Sequence, residues 1–380
     1  MIFNYSLKNY NFRIVIYMIF LSVAGILVLR SASGGDPSIV GKQILGVAVS
    51  FVCCLLISMI DYHRIFRLST LIYAGCVALL AAVLLTGHSS GGATRWLKIF
   101  GFTIQPSEFL KVGLIVVLSC YLAKNHERIN KVSVLGSIVL MIALPVGLVL
   151  AQPNLSTSIV ITIPLIVIIY AAGLSYKWIG GVLAAGIPAG GLFLYLAQFG
   201  IVPFLREYQA RRILAKIFHD SAQYADANNQ QDKSIMAIGS GQLWGKGLNN
   251  AGVGSVKSGN FVAEDQTDFI FAVIGEELGF VGSMVIISVL ALLVFECLLT
   301  ASRAKDMGGR LVCIGMAVLI GFQGFANIAV ATGIFPNTGL PLPFISSGIS
   351  SVLSIYAGMG IVLNIGLQRK SSNNKGGSSV

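Results

Sequence analysis

Glu264-Asp265-Gln266-Thr267-Asp268 runs without a break into Phe269-Ile270-Phe271-Ala272-Val273-Ile274, which carries Glu276 and Glu277 and then about twenty more mostly apolar residues. A run of this length and composition predicts a helix that crosses a bilayer. Carboxylates at its mouth and two turns inside it are costly, because an acidic group at the centre of a spanning helix costs about 2.5–3.5 kcal/mol on insertion scales. Such residues are functional candidates by default.

The rest of the composition agrees with a membrane class. Of 380 residues, 55% are hydrophobic and only 11% are charged, and mean hydropathy is +0.83. Soluble domains carry about 25% charged residues, so a soluble globular enzyme is excluded and a polytopic membrane protein is expected. Apolar runs fill most of the chain, which predicts one membrane domain over 1–370 rather than several soluble ones. The first run, Ile14 to Leu29, lacks a small-residue cleavage pattern and reads as a span, not a removable signal. The formal charge is +11, but no basic region interleaved with aromatics accompanies it, so nucleic acid is not an expected partner. Cys53, Cys54, Cys76, Cys120, Cys297 and Cys313 lie in apolar segments without metal-ligand spacing and read as small core residues.

Apolar stretches at about 12–30, 39–60, 69–87, 106–123, 133–151, 155–173, 178–199, 269–300, 310–333 and 345–367 make about ten spans. Pro145, Pro164 and Pro188 fall inside spans, where neighbours re-satisfy the backbone. Basic residues orient the bundle. With the N-terminus in the cytoplasm, Lys8, Arg13, Arg64, Arg67, Lys124, Arg128, Lys131, Lys177, Arg303, Lys305, Arg310, Arg369, Lys370 and Lys375 fall inside, whereas the short opposite loops hold only Arg30, Lys42, Arg95 and Lys98. That asymmetry places both termini in the cytoplasm. The Gly/Ser-rich tail 371–380 reads as disordered.

Residues 200–268 form a long loop on the external face, between spans seven and eight. Loops of this length are uncommon unless functional. A basic, amphipathic stretch from Phe204 to Phe218 opens it, and reads either as a helix lying in the membrane interface or as a solvated loop helix. Gly239-Ser240-Gly241-Gln242-Leu243-Trp244-Gly245-Lys246-Gly247 follows. Its glycines permit a sharp turn or a close approach to a ligand, but the spacing matches no known phosphate-binding pattern.

Ahead of span four stand Gly92-Ala93-Thr94-Arg95-Trp96-Leu97 and Gln105-Pro106-Ser107-Glu108-Phe109-Leu110-Lys111. Pro106 suits a first helical turn, and Glu108 and Lys111, three apart, share a helix face. The pair reads either as a salt bridge that only holds the bundle together or as the polar floor of a cavity where Lys111 or Arg95 meets a phosphate. Gln152-Pro153-Asn154-Leu155-Ser156-Thr157 reads as a polar turn. Thr332 to Gly348, with Pro336, Pro341 and Pro343, predicts a rigid, partly re-entrant turn, allowed at that depth only where it is buried in protein or lines a cavity. These elements converge with Asp268 on the external face. They predict a cavity of cations and carboxylates at the lipid boundary without naming a reaction.

Taken in order, several segments resemble the SEDS family (shape, elongation, division and sporulation) over nearly the whole chain. They are Gly92-Ala93-Thr94-Arg95-Trp96, Gln105-Pro106-Ser107-Glu108 with Lys111, Gln152-Pro153, Ala237-Ile238-Gly239-Ser240-Gly241 with Gly245-Lys246-Gly247, Thr267-Asp268-Phe269-Ile270-Phe271 with Glu276-Glu277-Leu278-Gly279, and Asn327-Ile328 through Gly339-Leu340-Pro341-Leu342-Pro343-Phe344-Ile345-Ser346. In length the chain is most similar to RodA-like members. The resemblance implies an all-α polytopic bundle that is a peptidoglycan glycosyltransferase. It would polymerise lipid II, an undecaprenyl-diphosphate disaccharide-pentapeptide, at the outer face of the cytoplasmic membrane, beside a class B penicillin-binding protein. It also implies that Asp268 is the essential carboxylate and that Glu108 is functionally sensitive.

Polymerisation displaces a diphosphate with inversion, so one carboxylate must take the acceptor hydroxyl's proton while cations or a metal neutralise the leaving group. Asp268 is accordingly expected as general base, and with Thr267 it would also cap span eight. Arg95, Glu108, Lys111, Gln152, Asn154, Lys246, Glu264 and Thr267 are expected to line the donor or acceptor site. A divalent cation, Mg or Mn, suits a diphosphate leaving group, although no ligand set is legible; no organic cofactor is expected. Glu276 and Glu277 point to different sides of the helix, so at most one is expected to face the interior, in a structural ion pair.

The chain departs from the family where Asn154 replaces an Asp, where Ala263 replaces a Pro, and at Ser346-Ser347-Gly348-Ile349-Ser350-Ser351. Asn keeps the hydrogen-bonding capacity of Asp without its charge. Two other functions fit the same bundle: a flippase or transporter for polyprenyl-diphosphate lipids, and a non-catalytic scaffold for a penicillin-binding protein.

Overall fold

A computed structural model describes residues 10–90, 93–99, 102–181, 184, 186, 188, 191, 225–248 and 266–368. The stretch 204–218, most of the seventh expected span, Ala263, Glu264 and the tail 371–380 lie outside the described residues.

Long apolar runs become helices wherever the sequence offers about 20 of them in a row, because only an internally hydrogen-bonded backbone is stable in lipid. They are α1 (Phe12–Ala32), α2 (Pro37–Met59), the short α3 (Tyr62–Arg67), α4 (Ser69–Thr86), α5 (Pro106–Asn125), α6 (Val132–Ala151), α7 (Leu155–Ala171), α8 (Ala225–Ser240), α9 (Ile270–Ser302), α10 (Met307–Ala331) and α11 (Ile349–Leu367). Among the described residues eight helices are long and apolar enough to cross a membrane, and α7 is a shorter apolar one. Pro37 and Pro106 open their helices, where a missing N–H costs nothing. α5 and α11 are buried along most of their length, whereas α2, α4 and α6 turn most of their side chains outward. The bundle is therefore built around α5, α10 and α11, with an apolar outer surface suited to lipid.

One element departs from a purely helical reading. Three strands, β1 (His88–Ser90), β2 (Ala93–Ile99) and β3 (Phe102–Ile104), form a small antiparallel sheet in the order β1-β2-β3. It bridges α4 and α5, and Arg95 lies on its central strand. The amide N–H of Gln105 donates to Ser350 Oγ at 3.1 Å, tying the exit of the sheet to the start of α11.

α9 is not one continuous helix. Gly279 sits at φ 65, ψ −165, a conformation only glycine adopts without strain, and divides α9 into an upper piece ending at Leu278 and a lower piece beginning at Phe280. The glycine-rich loop after α8 completes both broken ends. Lys246 and Gly247 amides donate to the Glu276 and Glu277 carbonyls at 2.9 and 3.0 Å, while Phe280 and Val281 amides donate to the Gln242 and Leu243 carbonyls at 2.8 and 3.1 Å. These are the orphan groups that any helix end leaves unpaired. The glycines of this loop thus permit a close approach to another backbone: a Cβ on Gly245 would collide with the Glu277 carbonyl.

The ends of α1 fix two levels in the bundle. At one end Asn11 Nδ2 and Arg13 Nη1 meet the Glu296 carboxylate at 3.0 and 3.2 Å; at the other Ser31 Oγ donates to Glu277 Oε1. The 21 residues of α1 rise about 31 Å at 1.5 Å each, close to the ~30 Å hydrocarbon thickness of a bilayer. Glu277 and Glu296 therefore stand at opposite membrane boundaries.

Candidate functional site

Gln266–Phe269 form a turn, and α9 begins only at Ile270, with Phe269 in the capping position and no side-chain cap. The capping position expected at Thr267 or Asp268 falls instead on Phe269, one residue after Asp268. Their backbone is instead clamped from three sides. Asn327 Nδ2 donates to the Asp268 carbonyl at 2.8 Å and to the Leu340 carbonyl at 2.6 Å. Ser346 Oγ donates to the Thr267 carbonyl at 2.6 Å, and the Ser347 amide to the Gln266 carbonyl at 2.9 Å. Asp268 is itself half-buried.

The partner of this clamp is the proline-rich turn 332–348, which is non-helical as expected and buried at Leu340, Leu342, Phe344, Ile345 and Ser346. Gly339 there adopts φ +66, and a Cβ built on it would lie 3.1 Å from Asp268 Oδ2. The Asp268 carboxylate therefore rests on the bare Cα face of Gly339.

Beneath the turn runs a buried polar chain. Glu108 Oε2 and Lys111 Nζ form an ion pair at 2.6 Å, with side chains 4% and 1% exposed. Lys111 Nζ also donates to Gln323 Oε1 at 2.8 Å, and Gln323 Nε2 donates to the Pro341 carbonyl at 2.8 Å. Gln323 and Asn327 are four residues apart on α10 and so present one face to the turn. Of the two readings of Lys111, these contacts fit the structural one: its ammonium is enclosed and held by Glu108 and Gln323, and it braces the turn from below.

Arg95 and the 152–157 turn form a second cluster. Arg95 Nε donates to the Gln152 carbonyl at 3.4 Å, and its Nη2 to the Pro153 carbonyl. Gln152 is buried, with Nε2 on the Leu80 carbonyl at 3.0 Å. Asn154 is buried as well and caps α7, its Oδ1 accepting from the Thr157 amide at 3.3 Å. Gln152 and Asn154 thus shape the turn rather than facing outward. A neutral Asn performs this capping as well as Asp does.

Glu276 and Glu277 are both buried, so the expectation that at most one faces the interior is corrected. The break at Gly279 brings the loop to one side of α9 and α1 to the other. Lys246 Nζ pairs with Glu276 Oε1 at 2.8 Å, and Ser31 covers Glu277. Lys246, expected as a substrate ligand, is two-thirds buried in that pair. Among the described residues no group of three His, Cys, Asp or Glu stands close enough to hold a metal ion. Gln323 was not anticipated from sequence at all; an amide inside an apolar span, four residues from another, was the available signal.

Comparison with known proteins gives consistent matches. The Cell cycle protein family of FtsW, RodA and SpoVE matches residues 10–371. The chain is 31% identical to a probable peptidoglycan glycosyltransferase FtsW of Geobacter sp. (strain M18), over 94% of this chain and 97% of the relative. It is 32% identical to the peptidoglycan glycosyltransferase MrdB of Escherichia coli (strain K12), over 94% and 93%. Among solved structures it is similar to a chain described under "Structural coordination of polymerization and crosslinking by a peptidoglycan synthase complex", with TM-score 0.78, 27% identity, and 94% and 97% of the two chains covered. It is also similar to the rod shape determining protein RodA of Thermus thermophilus, with TM-score 0.70, 26% identity, and 95% and 98% covered.

Proposed function

The chain belongs to the FtsW, RodA and SpoVE family of cell cycle proteins and is a peptidoglycan glycosyltransferase; from that premise we propose that it polymerises lipid II with Asp268 as general base. The observation that carries this reading is the state of Asp268. Its main chain is clamped by Asn327 and held between two turns, and the residue stands half-buried at the head of α9. A carboxylate held in this way suits proton transfer, because a general base must be positioned before it can act.

In this reading the acceptor sugar's 4-hydroxyl attacks C1 of the donor sugar with inversion. Its proton passes to Asp268, and the polyprenyl diphosphate leaves with the bonding electrons. Arg95, partly exposed, contributes positive potential toward the departing diphosphate, and Lys246, whose charge is met by Glu276, is kept as a candidate substrate contact. Glu108, Lys111 and Gln323 act below the turn by fixing the backbone on which Asp268 rests. Thr267, Gln152 and Asn154 shape the adjoining turns. Glu264, just before the clamp, is kept as a candidate substrate contact.

The site end of the bundle faces outward across the cytoplasmic membrane and both termini face the cytoplasm, a reading supported by the basic-residue asymmetry. A class B penicillin-binding protein is the partner that would cross-link the product.

The deciding experiment supplies purified lipid II to this chain with its cognate penicillin-binding protein and compares wild type with Asp268→Asn. Glycan polymer from wild type and at least about a hundredfold less from the variant is expected for loss of a general base. Equal polymer from both would remove the assignment of Asp268. Lipid scrambling in liposomes without any polymer would replace the reading with a flippase.

A further inference from the structure

On helix α8 the buried positions are Gln231, Ser234 and Ala237, with Ile238 partly buried against the core, whereas the apolar Ile235 and Met236 face outward. A helix bordered by water turns its polar side chains outward instead. The buried polar groups are well used: Gln231 Nε2 donates to the Val330 and Phe335 carbonyls at 2.7 and 2.6 Å, and Ser234 Oγ to the Ala331 carbonyl at 2.8 Å. They complete the carbonyl end of α10.

The outward apolar surface continues into the loop after α8. Leu243 is 60% and Trp244 79% exposed, and Leu248 is exposed beside them. Their backbone is not free to turn these side chains inward, because four main-chain hydrogen bonds seat the loop on the break at Gly279. Directly below the break Phe280, Val281, Met284 and Val285 are exposed on the spanning piece of α9. The apolar surface of the loop is therefore continuous with a surface that lipid must cover.

The depth is also set. The loop is bonded to residues 276–281, and Glu277 stands at the end of α1, one membrane boundary of a helix about 31 Å long. Trp and Leu held there lie where hydrocarbon gives way to headgroups, the depth at which tryptophan is enriched in membrane proteins.

We propose that residues 231–248 form a monotopic membrane anchor on the site side of the bilayer, with Leu243 and Trp244 as its wedge in the headgroup–acyl boundary. The occupant of this surface is lipid. Through its four backbone bonds the anchor ties the break at Gly279, and with it the upper piece of α9 that follows Asp268, to the depth of the membrane surface. This inference rests on the fold alone and is independent of the assignment of Asp268.

The test uses the full chain in nanodiscs of phosphatidylcholine and phosphatidylglycerol. Wild type and Trp244→Phe are compared, so that their difference isolates Trp244 from the chain's three tryptophans. Phe keeps the wedge, and the position is exposed, so folding is not at stake. Lipids brominated near the headgroup end of their acyl chains are expected to lower the Trp244 emission about twofold or more, as befits an interfacial indole. Emission that ignores brominated lipid, whether or not aqueous iodide quenches it, would overturn the proposal and assign the surface to water or to a protein partner.

Discussion

A single side-chain nitrogen of Asn327 holds the main chain of Asp268, at 2.8 Å, and that of Leu340, at 2.6 Å. One amide thereby locks the turn that carries the proposed base to the turn it rests on. Replacing Asn327 with Leu removes the donor without adding charge. Each carbonyl left unpaired costs about 1–3 kcal/mol, and a displacement of about 1 Å at a reacting group can cost about a hundredfold in rate. The expected result for Asn327→Leu is a roughly hundredfold loss of lipid II polymerisation in a chain that still inserts and purifies. Unchanged turnover would show that the clamp does not govern Asp268.

Gly339→Ala probes the other side of the same carboxylate. A side chain at φ +66 costs about 1–2 kcal/mol, and the new Cβ would stand 3.1 Å from Asp268 Oδ2, so the carboxylate must shift by a few tenths of an ångström. We expect kcat to fall at least about tenfold with KM changed less. A fall in thermal stability with kcat preserved would mean that only the turn, not Asp268, feels the substitution.

The Lys246–Glu276 pair offers a test of the loop's seat on α9. Removing one member of a buried pair is worse than removing both, because an uncompensated charge remains. Lys246 keeps about a third of its exposure, so the cost of Lys246→Met is put at about 2 kcal/mol, below the range for fully buried pairs. The double variant Lys246→Met/Glu276→Gln should recover at least half of that loss in thermal unfolding in detergent. Additive losses would show that the pair is not coupled.

At the opposite end of the bundle, Asp61, His63 and Asp306 meet between α3 and α10, with His63 Nδ1 and Nε2 each 2.8 Å from one carboxylate. Burial pushes Asp306 upward, but bonds from the Tyr62 hydroxyl, the Gly309 amide and His63 outweigh it and hold the carboxyl below its ordinary value. Asp61 is likewise lowered, burial being outweighed by Gln368 and His63. A lowered carboxylate stabilises the fold fully above its unfolded value, about 3.9, and loses that contribution as pH falls through the folded value. Wild type should therefore lose stability below about pH 4. Asp306→Asn, which can keep the cap on α10, should be less stable near neutrality and show a shallower acid limb in a pH series of unfolding temperatures. Parallel curves would exclude Asp306 from the acid transition.

The spans were legible because lipid leaves a chain few choices: α1, α4 and α6 each begin and end within a few residues of the apolar runs that announce them. The strand at Ala93–Ile99 was not, since Ala-Thr-Arg-Trp-Leu-Lys-Ile has no clean alternation of polar and apolar residues. At the site, Asp268 and the Glu108–Lys111 pair stood out as charges in apolar surroundings. What they do there did not, because it depends on partners far along the chain: Gln323 for Lys111, Asn327 and Gly339 for Asp268. The glycine-rich loop was read as free to approach a ligand, when the surface it approaches is Gly279 and its neighbours, some thirty residues later. Close backbone approach was correctly inferred; its target required the fold.

The break at Gly279 also settles a problem of length. At about 1.5 Å per residue, 33 residues make a rod of about 50 Å, far longer than a ~30 Å hydrocarbon layer. An unbroken rod would have to lean steeply, and any change in bilayer thickness would swing its far tip through the largest arc. Divided at Gly279, the chain leaves Phe280–Ser302, about 35 Å, to match the bilayer with little lean. The surplus is set on a separate axis, secured by the loop. A lean of the lower piece is then not carried along one rigid rod to Asp268, which lies above the division.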